Sequence, residues 1–297
     1  MAITFAWATS FSGLKSRKTG LEVHSCTHVG SVRERNEDSF VSVDARTGRV
    51  VKGRVPMAGG RSILLAVCDG LGGAAGGDVA SRIAAGALRE GVATGSAAPP
   101  AGDRAMVDRL RLAINLANAR VRAEATGRPS LDGMGTTLTA ALLCGGSAVF
   151  GQVGDSRAYV LRSGTLVPTT RDQSLGTALV DLGIVSVDQL DLLQGSNILL
   201  QAVGSDEELE IIFTQVSLCR GDVLLLCSDG LSGVISEEEI CDGIIRSRSM
   251  RGAADRLVRL ALEAGGPDNV TVVLCRVDGS SLPAPSSSAL RVTIVEN

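Results

Sequence analysis

An α+β fold built on antiparallel sheet is what this sequence predicts, and three observations carry the prediction. Continuous apolar runs, ILLAVC at 63–68, DVLLLC at 222–227 and NVTVVLCRV at 269–277, have the length and bounding residues of buried strands. Two segments instead repeat their apolar residues at helical spacing. Strand and helix candidates come in blocks, not in alternation, which favours layers around antiparallel sheet over a doubly wound parallel fold.

Taken in order, ILLAVC is a strand. DVASRIAAGALREGV at 78–92 places Val79, Ile83, Ala87 and Leu88 on one helix face. GSAAPPAG at 95–102 clusters Pro and Gly and reads as a loop. In 103–125, Val107, Leu110, Ile114, Ala117 and Val121 step by three and four, so this long helix needs a sheet to cover its stripe. TTLTAALLC, SAVFGQV and AYVL at 136–161 read as a strand meander, because the GG and GDS connections are too short for crossover helices. Residues 172–208 hold two short helix candidates, LGTALVDLG and SVDQLDLLQG, and read as an insertion lying over the sheet. The strands then resume. Ser236 and Glu239 match a capping box, and Leu257, Leu260, Ala261 and Ala264 share a face of a further helix. Residues 1–21 read as a leader, 22–278 as one domain, and 279–297 as a linker and tail. Within the tail, LRVTIVEN alternates and predicts either an added edge strand or a segment docked elsewhere.

Composition narrows the function classes. With 44% hydrophobic residues the 297-residue chain buries a sizeable core. A net charge of −3 without charge blocks and only 2% aromatic residues argue against nucleic acid, which needs basic tracks and stacking rings. The seven cysteines, Cys26, Cys68, Cys144, Cys219, Cys227, Cys241 and Cys275, are odd in number and mostly embedded in apolar runs. They predict reduced core residues in the cytoplasm, not a disulfide framework. The opening residues lack the basic start of a secretory signal, and no run is long enough to cross a bilayer.

Two near copies carry the chemistry. LLAVCDGLGG at 64–73 and LLLCSDGLSG at 224–233 each run a buried strand into an aspartate, Asp69 or Asp229, and leave through Gly70 or Gly230. Asp268 precedes a strand in GGPDNVTVV. If the last strand is antiparallel to the other two, all three carboxylates meet at one end of the sheet. Two carboxylates about 4 Å apart repel by roughly 4 kcal/mol at an effective dielectric of 20, so the group takes up protons or binds a cation. Oxygen ligands without Cys or His point to Mg²⁺ or Mn²⁺. The glycines let the backbone turn sharply and approach the ion. A single Asp-Gly is more often a hairpin turn, but two matched copies together with PDNVTVV outweigh that reading.

NED at 36–38 behind Arg33, CDGLGG with AAGGDVAS (68–81), GTTLTAALL (135–143), GQVGDSRAYVLRSG (151–164), LLLCSDGLSG and GGPDNVTVVL, in this order, resemble the metal-dependent protein phosphatases of the phosphatase 2C family. The resemblance covers about 22–278 and is nearest to the compact bacterial members. It implies a four-layer αββα sandwich, two antiparallel sheets flanked by helices, with 172–208 as a flap. It also implies two Mn²⁺ or Mg²⁺ ions per chain and a weaker third. By motif, Asp69 bridges both ions, Gly70 offers its carbonyl to one, and Asp229 and Asp268 ligate the other. Glu37 and Asp38 hold metal-bound waters, Arg33 clamps the substrate phosphate, and Asn269 steadies the Asp268 turn. Arg33, Asp38 and Asp69 are the implied catalytic groups, and Asp155 with Asp229 the implied third site.

Two divalent ions about 3.5 to 4 Å apart lower the pKa of a bridging water, which attacks phosphorus without a protein nucleophile. The implied function is hydrolysis of phosphoserine and phosphothreonine in proteins, opposing a bacterial Ser/Thr kinase, by a monomer. A partner-binding scaffold of the same fold, or an enzyme acting on a small phosphoester, are the competing readings. Several positions depart from the family pattern. Leu71 stands where many members have His, the flap opens on Asp172-Gln173-Ser174, and Gly233 stands where some relatives place a further carboxylate. His24 and His28 are the only histidines and read as structural.

Overall fold

The computed structural model describes residues 20–57, 60–71, 76–94, 100, 102–193, 195–285 and 290–295. In chain order the strands are β1 (Gly20–His28), β2 (Ser39–Asp44), β3 (Gly53–Pro56), β4 (Ser62–Cys68), β5 (Gly70–Leu71), β6 (Gly135–Thr136) and β7 (Leu138–Cys144). They continue as β8 (Ser147–Val153), β9 (Arg157–Arg162), β10 (Thr165–Pro168), β11 (Ile212–Ser217), β12 (Val223–Cys227), β13 (Val270–Asp278) and β14 (Thr293–Val295). The helices are α1 (Gly77–Thr94), α2 (Asp103–Gly127), α3 (Leu175–Asp181), α4 (Asp229–Ser232), α5 (Glu237–Ile245) and α6 (Met250–Glu263).

Two six-stranded sheets form, in the orders β10-β9-β12-β13-β1-β3 and β14-β11-β8-β7-β4-β2, with antiparallel pairings throughout. Three apolar cores separate the four layers. Between the sheets, Ile63, Leu65, Val67 and Phe150 meet Leu224, Leu226, Val273 and Cys275. Leu64, Ala66 and Cys68 point the other way and pack with Leu88, Leu110, Ile114 and Val121 of α1 and α2. On the far side, Tyr159, Leu225, Val272 and Leu274 meet Ile240, Leu257 and Ala261 of α5 and α6. Side chains alternate between faces with period two. Because both faces are covered, the strands read as unbroken apolar runs.

The expected α+β sandwich is therefore the observed one, and most predicted elements stand within a few residues of their places. The five stripe residues of α2 are all buried. The capping box is formed, with Ser236 accepting from the Glu239 amide and Glu239 accepting from the Ser236 amide. One prediction fails. TTLTAALLC and SAVFGQV pair as β7 and β8, but AYVL does not continue the meander. It crosses to the other sheet as β9, beside β12. The Gln152 side chain donates to the carbonyls of Gly154 and Ser156, both at 3.2 Å, and Thr139 donates to the Ser156 carbonyl at 2.6 Å. These buried bonds hold the GDS connection across the sandwich and leave Asp155 at its open end.

The predicted leader lies outside the described residues up to residue 19, and β1 begins at Gly20. Of the two alternatives for the tail, the edge strand is the observed one: β14 pairs with β11. Leu282, Leu290 and Val292 pack against the core between the sheets. Among the described residues, no helix is long and apolar enough to cross a membrane.

Candidate metal centre

Three strand ends and one loop build the site. β12 and β13 are antiparallel, with Cys227 opposite Val272, so Asp229 just past one strand and Asp268 just before the other share one end of that sheet. Asp69 follows β4 in the other sheet. Its carbonyl accepts from the Thr137 amide at 2.8 Å and from the Thr136 hydroxyl at 2.9 Å, and its amide donates to the Thr137 hydroxyl at 2.9 Å. Thr137 in turn bonds Ser156 through their hydroxyls at 2.7 Å.

Asn269 joins the NED loop to this frame. Its side-chain amide donates to the carbonyls of Val29 at 2.8 Å and Arg35 at 2.9 Å, while its Oδ1 accepts from the Glu37 amide at 2.7 Å. Its own amide donates to Asp268 Oδ1 at 2.8 Å. Asn269 thus bonds the neighbouring Asp268 carboxylate and fastens the loop carrying Arg33, Glu37 and Asp38. Asp38 is buried against the adjoining Ser228, whose hydroxyl donates to Asp38 Oδ2 at 2.8 Å.

Both glycines differ from their expected use. Neither adopts the left-handed backbone region. Gly230 is not a sharp turn but the second residue of the one-turn helix α4, and a Cβ there would overlap the Asn269 carbonyl oxygen. A Cβ on Gly70 would overlap the Gly77 carbonyl oxygen and crowd that of Glu37. What requires glycine at these two positions is close approach between backbones that must meet for the acids to converge.

A cleft of about 590 Å³ opens between the sheet ends, lined by Arg33, Glu37, Asp69, Gly70, Asp155, Asp229, Asp268 and Asn269. Asp38 lies beneath it. All the sequence-predicted site residues are therefore gathered at this cleft. Burial pushes Asp69 well above the usual carboxylate range, and the charges of Asp38 and Asp229 push it further. Asp38 rises to about 6, from burial first and then from Asp229 and Asp268, against hydrogen bonds from Thr271 and Ser228. Asp155 rises to about 7, through burial and then Asp229 and Asp172. Asp229 and Glu37 are also raised, chiefly by burial.

Among the described residues, no three His, Cys, Asp or Glu side chains form a closed ligand set. Arg33 Nη2 donates to Asp268 Oδ2 at 2.6 Å. The donors nonetheless fit a hard divalent cation. They are carboxylate oxygens driven toward their neutral forms by one another, and Asp38 Oδ1 and Asp229 Oδ1 are buried without a hydrogen-bond partner. A cation relieves both defects at once.

Other positions read from the sequence sort themselves by contact. Leu71 lines the cleft, and neither histidine does. His28 Nδ1 accepts from the Gly30 amide at 3.0 Å. The Asp172 carboxylate is taken by Arg157, with Nε to Oδ1 at 3.0 Å and Nη2 to Oδ2 at 2.7 Å. Cys68 and Cys227 are fully buried and burial pushes their thiols up, so neither offers a thiolate nucleophile. Sequence reasoning gave no role to Thr136, Thr137, Ser156 and Ser228. The available signal was a hydroxyl inside or beside each acidic motif, in GTT, GDS and CSDG.

Comparison with known proteins gives the family. The family model described as protein phosphatase 2C matches residues 55–264. The chain is 37% identical over 248 residues to the serine/threonine protein phosphatase PstP of Mycobacterium tuberculosis, covering 84% of this chain and 43% of that one. It is 34% identical to the serine/threonine phosphatase stp of Listeria welshimeri, covering 84% of this chain and 92% of the relative. Among solved structures, the catalytic domain of PstP in complex with two manganese ions is 34% identical, with a TM-score of 0.72 over 88% of this chain and 100% of that one. The serine/threonine phosphatase of S. agalactiae gives 0.77 at 27% identity over 87% of this chain and 100% of that one. The chain thus spans under half the length of the mycobacterial relative and nearly all of the Listeria one. On the family match and these identities, the chain belongs to the protein phosphatase 2C family.

Proposed function

We propose that this chain hydrolyses phosphoserine and phosphothreonine in proteins, using two Mn²⁺ or Mg²⁺ ions. The observation that carries the reading is the cleft itself: mutually repelling, partly unpartnered carboxyls beside Arg33 at the mouth of a site open to a protein surface. The manganese complex of the PstP catalytic domain supports the choice of ion. Asp69, the Gly70 carbonyl, Asp229 and Asp268 would hold the two cations, with Asp155 and Asp229 available to a weaker third. Bound cations supply charge neutralisation and an activated water.

The chain's own residues do the rest. Asn269 and Ser228 hold the loop that carries Glu37 and Asp38, which would orient water in the cleft. Arg33, more than half exposed, is paired with Asp268 and would be free to turn to substrate were that carboxylate engaged by a cation. Its fork then binds two phosphate oxygens and offsets the charge of the transferring group. The substrates would be phosphoproteins made by a Ser/Thr kinase, and the chain would act as a cytoplasmic monomer. Free cysteines throughout are consistent with that compartment.

The test is hydrolysis of an aryl phosphate and of a phosphothreonine peptide with Mn²⁺ added, after thorough chelation. Activity is expected only with the ion; activity that survives chelation rejects the mechanism, and a protein inert with every divalent ion favours the scaffold reading. Arg33→Ala is expected to raise KM by about tenfold, in line with one lost charge-assisted contact, with a smaller fall in kcat. Unchanged kinetics would remove Arg33 from the phosphate.

A further inference from the structure

Asn118 lies in the middle of α2, only 3% exposed, beside the apolar stripe that covers the sheet. Burying an amide there is unfavourable unless both of its ends are bonded. They are, and all to one short segment. Oδ1 accepts from the Gly204 amide at 2.7 Å, while Nδ2 donates to the carbonyls of Asp206 at 2.8 Å and Glu207 at 3.2 Å. This segment is the C-terminal root of the insertion at 172–208.

The root leads directly to the acids. Val203, next to Gly204, exchanges backbone hydrogen bonds with Thr136 at 2.8 and 2.9 Å. The Thr136 hydroxyl donates to the Asp69 carbonyl at 2.9 Å, and the Thr137 amide donates to the same oxygen at 2.8 Å. The other root is built alike. Gln173 Oε1 accepts from the Gly154 amide at 2.7 Å, one residue from Asp155, and its Nε2 donates to the Glu210 carbonyl at 2.7 Å. The N-terminal root is therefore bonded to the turn that carries Asp155, and the C-terminal root to Thr136, whose hydroxyl holds the Asp69 carbonyl.

We propose that Asn118 is a positioning residue that locks the C-terminal root of the flap, so that Thr136 and Thr137 hold Asp69 in place and flap placement is coupled to cation affinity. The inference rests on the reading of the cleft as a divalent-cation site. Coupling of this kind is reciprocal: whatever orders the flap tightens the ion, and the ion orders the flap. Contact along a chain of bonds does not by itself establish coupling, so the test must measure it.

The experiment compares the full chain with Asn118→Ser, Asn118→Asp and Ile114→Val. Mn²⁺ affinity is measured by calorimetry, amide exchange over 172–210 is measured in the metal-free protein, and KM and kcat are taken on a phosphothreonine peptide. Asn118→Ser is expected to weaken Mn²⁺ about tenfold, the scale on which partners of metal ligands act, and to speed exchange around Gly204. Asn118→Asp keeps the acceptor for the Gly204 amide and should recover part of the loss. Ile114→Val trims the same helix's core without touching the root; it should lower the melting temperature and leave Mn²⁺ affinity unchanged.

Equal Mn²⁺ affinity in wild type and Asn118→Ser overturns the proposal. So does an equal loss in Ile114→Val, which would mean that general loosening is the cause. Should the serine variant fail to fold, the aspartate variant decides: affinity and exchange like wild type's overturn the proposal, and a partial loss of both supports it. A wild-type chain that takes up no Mn²⁺ sinks the cleft reading and the inference with it, whereas tight wild-type binding that Asn118 variants leave untouched sinks the inference alone.

Discussion

Asp229→Ala is expected to abolish Mn²⁺-dependent phosphate release, by ~10³-fold or more, since on the proposed reading it removes a metal ligand outright and loss of an outer partner alone costs 10- to 100-fold. The metal-free variant stays folded. Asp229 stands at the centre of the acidic group: its charge raises Asp38, Asp69 and Asp155, and its Oδ1 is buried without a partner. Against this, its place in the first turn of α4 gives a helix-end interaction of at most about 1 kcal/mol. A close carboxylate pair repels by roughly 4 kcal/mol at an effective dielectric of 20, so repulsion outweighs the helix end. The isosteric Asp229→Asn therefore melts at or above wild type at pH 8 without metal. Thermal denaturation with chelator present checks this, and a variant that melts well below wild type would show that Asp229 is a structural acid.

Metal-free wild type is expected to lose stability as pH rises from about 4 to 7. The raised carboxyls, Asp155 at about 7, Asp38 at about 6 and Asp69 above the ordinary range, keep protons in the folded state that the unfolded chain releases near pH 4. Where the folded state binds more protons, unfolding free energy falls with rising pH. The total is on the order of a few kcal/mol, or about 10 °C for a domain of this size. Saturating Mn²⁺ removes the slope, because the cation replaces the protons. Below this window the sign reverses. Burial pushes Asp44 up, but hydrogen bonds from Thr47 and Arg46 and the Arg61 charge outweigh it, so its carboxyl is held low and its contribution is lost at strongly acid pH. Melting curves from pH 4 to 8, with chelator and with Mn²⁺, decide the matter: a flat metal-free profile would mean that the acids do not repel one another as described.

Local order was legible in the residues. The apolar runs of β4, β12 and β13, the stripe of α2 and the Ser236 capping box depend on near neighbours, whose spacing is written in the chain. β1 and β2 were not assigned as strands, since HSCTH and SFVSV mix polar and apolar residues and their pairing partners lie elsewhere in the chain. The identity of the acids was legible too, since strands that end twice on Asp-Gly are unusual and a third acid opens PDNVTVV.

By itself, then, the sequence determined that β4, β12 and β13 are buried strands and α2 a helix, and which carboxylates stand at those strand ends, because those properties depend on residues a few positions apart. Tertiary structure alone decided that AYVL crosses to the second sheet, that Gly70 and Gly230 are needed for backbone contact, that Arg33 rests on Asp268, and that Val203 pairs with Thr136 beside Asp69. Most of these are meetings of groups tens to hundreds of residues apart, settled by which faces pack together; no local period encodes such a choice.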